Sequence, residues 1–364
     1  MGSIIDKNGS LMAALPTDPV EVARHADLRY VSDDEPGIRR RRCGRGFTYV
    51  DAQGKTIRDP EARRRFNSLA IPPAWSDVWI SADENGHIQV TGRDDKGRKQ
   101  YIYHPRWQEI RNQAKFNSLL LFGESLPHLR AQIDKDLRRH GLARERVLAA
   151  VVRLLEVTLI RVGNEQYARE NESYGLTTMR TNHVDVTTTN LHFDFPGKSG
   201  KEHHIEIRDP RAARVVRQCQ ELPGQQLFKY VDEEGNHQTV DSADVNEYLY
   251  AATGNDFTAK DFRTWGGTVA AVRAFLELGP GESERGIQKN VVEAVKMVAE
   301  KLGNTAAICR DYYIHPAVIG AYQDRSFFDL LQEAGEQSNG EEERQAEEQV
   351  VLHLLRRHLA QETQ

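Results

Sequence analysis

Leu302-Gly303-Asn304-Thr305-Ala306-Ala307-Ile308-Cys309-Arg310-Asp311-Tyr312-Tyr313-Ile314-His315-Pro316 is the stretch on which the reading of this chain turns. It closes an apolar, helix-like run, carries two adjacent tyrosines and stops at a proline, which cannot continue a helix. On a helix Tyr312 and Tyr313 point about 100° apart, so only one of them can face a given partner. Upstream, three cations stand in distinct local contexts. Arg161 lies in Ile-Arg-Val-Gly-Asn-Glu, Lys198 in Phe-Pro-Gly-Lys-Ser-Gly-Lys and Arg263 in Lys-Asp-Phe-Arg-Thr-Trp-Gly. Taken singly, each has an ordinary explanation: ion pairs with Glu156, Glu165 or Asp261, a solvated turn lysine, a core tyrosine.

Taken together, they suit the cleavage of a phosphodiester without a metal. The phenol of tyrosine is acidic for an alcohol, with a pKa of about 10, so it serves as nucleophile and later as leaving group. Arginine, planar and always charged, matches the non-bridging oxygens of the transition state. Lysine can give a proton to the departing 5′ oxygen when neighbouring arginines lower its pKa.

The composition fits such a protein and excludes others. The 364 residues allow one large domain or two to three ordinary ones, and 39% hydrophobic content supplies real cores. No apolar run reaches the roughly 18 residues of a membrane span, and Met1 to Ala14 lack the layout of a secretory signal. Cys43, Cys219 and Cys309 are far apart and in no metal-ligand spacing, which points to a reducing cytoplasm rather than a disulfide framework. No zinc motif and no Walker-type loop is present. The formal net charge is -5, but its distribution is uneven. From Leu28 to Trp107 there are 16 Lys and Arg against 11 Asp and Glu; after Gly335 there are 7 acids against 3 bases. Arg39 to Arg42, Arg45, Arg63 to Arg65, Arg93, Lys96, Arg98 and Lys99 bunch together with interleaved aromatics, as a phosphate-binding surface would.

Four segments follow from the texture of the chain. Residues 1–27 read as a loose leader. Residues 28–108 read as a small β-rich domain, with strands at Val78 to Ile80 and His87 to Val90 and a rigid Ile71-Pro72-Pro73-Ala74-Trp75 loop. Residues 109–335 read as a mainly helical domain, with helical spacing over Leu119 to Arg139 and Arg144 to Arg169. Its one clear hairpin is Thr189 to Phe195 with Glu202 to Arg208, turning at Pro196 to Lys201. Further helices fall at Pro210 to Glu221, Ser242 to Ala252, Thr258 to Leu278, Ile287 to Leu302 and Asp324 to Ala334. Residues 336–364 read as an acidic tail, mobile or a helical arm. The fold class is α+β. His203, His204 and His315 complete no metal site and read as surface or phosphate contacts.

In its four boxes the chain resembles the type IB DNA topoisomerases, in their small bacterial, poxvirus-like branch, from about Leu28 to Tyr322. Further anchors are Ile71 to Trp75, Thr91 to Asp94 and Gly97 to Tyr101. The resemblance implies a catalytic domain of the tyrosine recombinase type, a clamp around double-stranded DNA, and action as a monomer without metal or nucleotide cofactor in a bacterial cytoplasm. It makes Arg161 and Arg263 the catalytic arginines, Lys198 the general acid, Tyr313 the nucleophile and Asn304 a phosphate contact, where many members have histidine. Tyr167 matches a tyrosine that supports the site or the DNA backbone. Arg93, Lys99, Tyr101 and Tyr103 match the DNA-facing part of the N-terminal module. Two alternatives remain at this level. A tyrosine recombinase usually reads His-x-x-Arg where this chain reads Lys260-Asp261-Phe262-Arg263. A non-catalytic DNA-binding protein would not need the complete residue set.

Overall fold

The computed structural model describes residues 4–5, 11–12, 18–337 and 343–362. The chain divides into two compact units, Met1–Phe116 and Asn117–Gln364, and the division falls inside the helix Pro105–Asp136.

In the first unit a five-stranded antiparallel sheet runs, edge to edge, Gly46–Val50, Ile38–Cys43, Ser76–Ile80, Ile88–Arg93, Lys99–Tyr103. Ile38, Tyr49, Val78, Ile80 and Val90 meet Phe66 of the helix Pro60–Ser68 to form its core. That helix starts because Asp59 caps it, accepting from the Ala62 amide at 2.7 Å, with Pro60 preset for the first turn. Gly37 is required by contact: a Cβ there would lie 2.1 Å from the Trp79 indole nitrogen, which donates to the Glu35 carbonyl at 3.0 Å.

The expected leader is partly structured. Pro19–His25 is a helix capped by Asp18, and Val22 and Ala23 bury with Ala26, Leu28 and Trp107 in a small second cluster. The segment is too short for a helical period to show in its sequence.

The second unit is mainly helical around one large core. Its centre is the helix Arg144–Thr158, in which Val147 to Val152, Leu154 and Leu155 are at most 1% exposed. The helix was expected to continue to Arg169 but stops at Thr158. Leu159 takes a left-handed conformation (φ 55°), and the backbone beyond it pairs with another segment: the amides of Leu176 and Thr177 donate to the carbonyls of Arg161 and Val162. A short helix, Glu165–Asn171, follows. The hairpin Asn190–Pro196 with Glu202–Arg208 gains a third strand, Val184–Val186. Helices Ala259–Leu278 and Glu284–Leu302 pack against each other, and short helices Ala306–Tyr312 and Pro316–Gln323 follow.

Of the two readings of the acidic C-terminal stretch, a mobile tail or a helical arm, the structure has the helix, and it is packed into the core. Glu343–Glu362 is a 20-residue helix that packs on Ala259–Leu278 and Phe327–Gln337. Val350, Val351, Leu352, Leu354 and Leu355 are buried in the main core. Its acids are held as well: Glu348 chelates Arg130 at 2.7 and 2.8 Å, and Glu347 takes Arg273 at 2.6 and 2.8 Å. Removing it would open the core, so deletion is no clean test of the charge it carries.

Candidate active site

Two helix ends build the site. After Thr158 the left-handed turn at Leu159 directs that residue's carbonyl to Arg263, whose Nη1 donates to it. The helix Glu284–Leu302 ends at Gly303 (φ 62°), and its last carbonyl, Leu302, accepts from Arg263 Nη2 at 2.7 Å. Arg263 is therefore 5% exposed and anchored by two carbonyls at the C-terminal ends of helices, where the dipole favours a cation without neutralising it. Burial lowers its pKa; a guanidinium of normal pKa above 12 still keeps its proton.

Arg161 stands beside it on the extended segment after the helix, not on the helix where the sequence put it. Its Nη2 donates to the amide oxygen of Asn304. Burial, then repulsion by Arg263, brings its pKa down to about 10. Among the described residues, Arg263 Nε and Asn304 Nδ2 are buried with no hydrogen-bond partner of good geometry; Tyr313 and Cys309 are their polar neighbours. Buried donors in this condition cost about 1–3 kcal/mol each, so they mark a place where something else is meant to accept.

Tyr313 leaves the helix Ala306–Tyr312 at its last turn, and the Arg263 guanidinium lies over its ring, 5.2 Å from the centroid. The tyrosine is fixed from behind. Gly267 lies so close that a Cβ would stand 2.5 Å from the Tyr313 carbonyl, and Thr268 Oγ1 approaches that oxygen at 3.5 Å while accepting from the His315 amide at 3.1 Å. His315 in turn caps the next helix, accepting from the Ala317 amide at 3.1 Å. Its role is structural, and it is 3% exposed.

Arg161, Arg263, Asn304 and Tyr313 are thus gathered. Among the described residues Lys198 makes no hydrogen bond or ion pair with them. It is exposed on the turn Lys198–Gly200, one residue from Gly197, which lines the same small cleft as Arg161 and Arg263. The side chain of Tyr167 lies outside the described residues.

In the first unit, Lys99 pairs with Asp33 at 2.7 Å and Arg93 donates to the Gly97 carbonyl at 2.8 Å. Tyr101 and Tyr103 stack in parallel with centroids 5.8 Å apart. Arg40 is held as structure: it donates to the carbonyls of Ile71, Pro72 and Trp75 and lies over Phe47, which is what makes the Ile-Pro-Pro-Ala-Trp loop rigid. Its neighbours Arg39, Arg41 and Arg42 are exposed.

His203 is the cleft residue that the sequence undervalued. The strand alternation was the available signal: His203 shares the inward face with Ile205 and Ile207, while His204 points out to Asp194.

Residues 104–336 match the family model of the eukaryotic DNA topoisomerase I catalytic core, and residues 46–94 match that of the bacterial DNA topoisomerase IB N-terminal domain. The chain is thereby placed in the class of DNA topoisomerases, which are isomerases. DNA topoisomerase 1B of Acanthamoeba polyphaga mimivirus is 33% identical over 302 residues, covering 80% of this chain and 89% of the viral one. DNA topoisomerase 1B of vaccinia virus (strain Copenhagen) is 22% identical over 301 residues, covering 79% and 90%. This chain belongs to the type IB DNA topoisomerase family.

Proposed function

We propose that this protein relaxes supercoiled double-stranded DNA by transient cleavage of one strand, with Tyr313 as nucleophile. The phenol loses its proton to solvent, and its oxygen attacks the scissile phosphorus. The bond from phosphorus to the 5′ oxygen breaks, leaving a 3′-phosphotyrosyl link. Lys198, on its exposed turn, delivers a proton to the departing 5′ oxygen. Arg161, Arg263 and Asn304 hold the non-bridging oxygens, where charge gathers in the transition state. Religation is the reverse attack by the 5′ hydroxyl, so the linkage conserves its energy and the cycle uses neither nucleotide nor metal. The protein acts as a monomer in a bacterial cytoplasm, with Arg93, Lys99, Tyr101, Tyr103 and Tyr167 along the DNA.

The observation that carries the reading is the gathering of two arginines and an amide beside the Tyr313 ring, their charge left uncancelled by any carboxylate among the described residues. The test is plasmid relaxation in EDTA without ATP. The wild type relaxes the plasmid and leaves a covalent complex on rapid denaturation; Tyr313→Phe does neither. Relaxation by Tyr313→Phe would move the nucleophile to Tyr312, and an inactive wild type would end the enzymatic reading.

A further inference from the structure

His203 stands where two turns of the site approach each other. A Cβ added to Gly197 would lie 2.5 Å from its Cδ2, and one added to Gly303 would lie 2.8 Å from its Cε1. Both turns thus lie against the edge of the imidazole, and both are glycine where they touch it. The face of the ring stacks on Phe195, centroids 5.1 Å apart and planes 16° apart. One turn carries Lys198, directly after Gly197. The other carries Asn304, directly after Gly303. Among the described residues neither ring nitrogen hydrogen-bonds within the protein, so the ring is held by shape. It faces Arg161, Lys201 and Arg263, and burial together with these cations favours its neutral form.

We propose that His203 is a positioning residue: a flat spacer that fixes the distance between the Lys198 turn and the Gly303–Asn304 turn, so that the proton donor and the phosphate-binding amide address one phosphate. Lys198 itself is exposed, on a turn closed by the Gly197 amide, which donates to the Lys201 carbonyl at 2.8 Å. The flanking strands pair as far as Pro196 and Glu202, and beyond them the His203 ring is what Gly197 and Gly303 both meet. A glycine at 197 or 303 leaves room for the ring, and any larger residue would have to displace it. The inference rests on the reading of Lys198 as general acid.

A leaving-group substitution separates positioning of the acid from general damage. A thiol, with a pKa of about 8.5, departs without the proton that an alkoxide needs. Cleavage is measured in a single turnover on a duplex whose cleavage position has been mapped with the wild type, made with either oxygen or sulfur at the 5′ bridging atom. His203→Ala is expected to slow cleavage of the oxygen duplex by about 10- to 100-fold, part of the roughly 10²- to 10⁴-fold that general-acid catalysis contributes, since the lysine is misplaced and not removed, and the sulfur duplex is expected to bring it back to within a few-fold of the wild type. His203→Phe, which keeps a flat ring, recovers most of what His203→Ala loses. Gly197→Ala, which pushes the ring from the other side, gives the same oxygen-selective defect and serves if His203→Ala does not fold.

Equal slowing on both duplexes, or no slowing, overturns the proposal. Lys198→Ala is run alongside. Its rescue by sulfur with no rescue of His203→Ala or Gly197→Ala refutes the spacer alone, and its failure to be rescued refutes the general-acid reading and the spacer with it.

Discussion

Two pairs of arginines in the second unit, half-buried Arg130 with exposed Arg273 and half-buried Arg161 with buried Arg263, are treated in opposite ways. Arg130 and Arg273 meet carboxylates: Glu348 and Glu156 for the first, Glu347 for the second. Arg161 and Arg263 meet an amide oxygen and two carbonyls. Carboxylates cancel charge as they satisfy donors, whereas carbonyls satisfy donors and leave the charge in place. The effect on the guanidinium follows: its pKa is raised for Arg130 by its acids and lowered for Arg161 by burial and Arg263. The first group closes a core, and the second holds positive charge in readiness for an anion. An arginine's partners, more than its burial, separate the two roles.

The sharpest way to break this contrast is to give the second group a carboxylate. Asn304→Asp keeps the shape and places a negative charge against Arg161. It should cut the cleavage rate by about 10²- to 10³-fold, as loss of a transition-state donor does, while thermal stability holds or rises. A melting curve beside a cleavage time course checks both, and a variant with near-normal cleavage would mean that the uncompensated charge is not what matters.

The converse change is Glu348→Gln, which strips the first group of one acid. Breaking a buried pair costs about 3–5 kcal/mol; because Arg130 is 25% exposed and keeps Glu156, about 2 kcal/mol is expected. Urea unfolding should show that loss, with relaxation per folded molecule within about two-fold of the wild type on the reading that these acids are structural.

The smallest effect comes from protons. His203 and His183 both have pKa values lowered by burial and by nearby cations. Above the unfolded value of about 6.5 neither state carries the proton. As the pH falls below it, the unfolded chain takes up a proton before the folded one does, and stability declines until the folded pKa is passed. Melting temperatures of the wild type should fall from pH 7.5 to 5.5, and His203→Phe should show a shallower fall. An equal slope in both would place the cause elsewhere.

Much of the site was legible in the sequence because box residues keep their local neighbours. Arg263 follows Lys-Asp-Phe on a well-patterned helix, and Gly303-Asn304 follows an apolar run that ends as a helix should. Misreadings arose where the deciding partner was remote. The apolar spacing of Val157 to Ile160 continues a helix on paper, yet the amides of Leu176 and Thr177 take the backbone around Arg161 into an extended path. Four consecutive arginines read as one basic surface, although strand alternation turns Arg40 inward to three carbonyls of a loop some thirty residues on. The final segment read as an acidic tail or arm, with no hint that its acids are paired, because their partners lie 74 and 218 residues away.

That last separation sets a clock. Glu348 follows Arg130 by 218 residues, and at synthesis rates of roughly 5–20 residues per second Arg130 waits about 10–45 s for its carboxylate. Within that interval Arg161, Arg263, Asn304 and Tyr313 are made in turn, all before Glu343–Glu362, which packs on the helix carrying Arg263. The helix Glu343–Glu362 therefore finishes the core behind a site whose own residues all precede it in the chain.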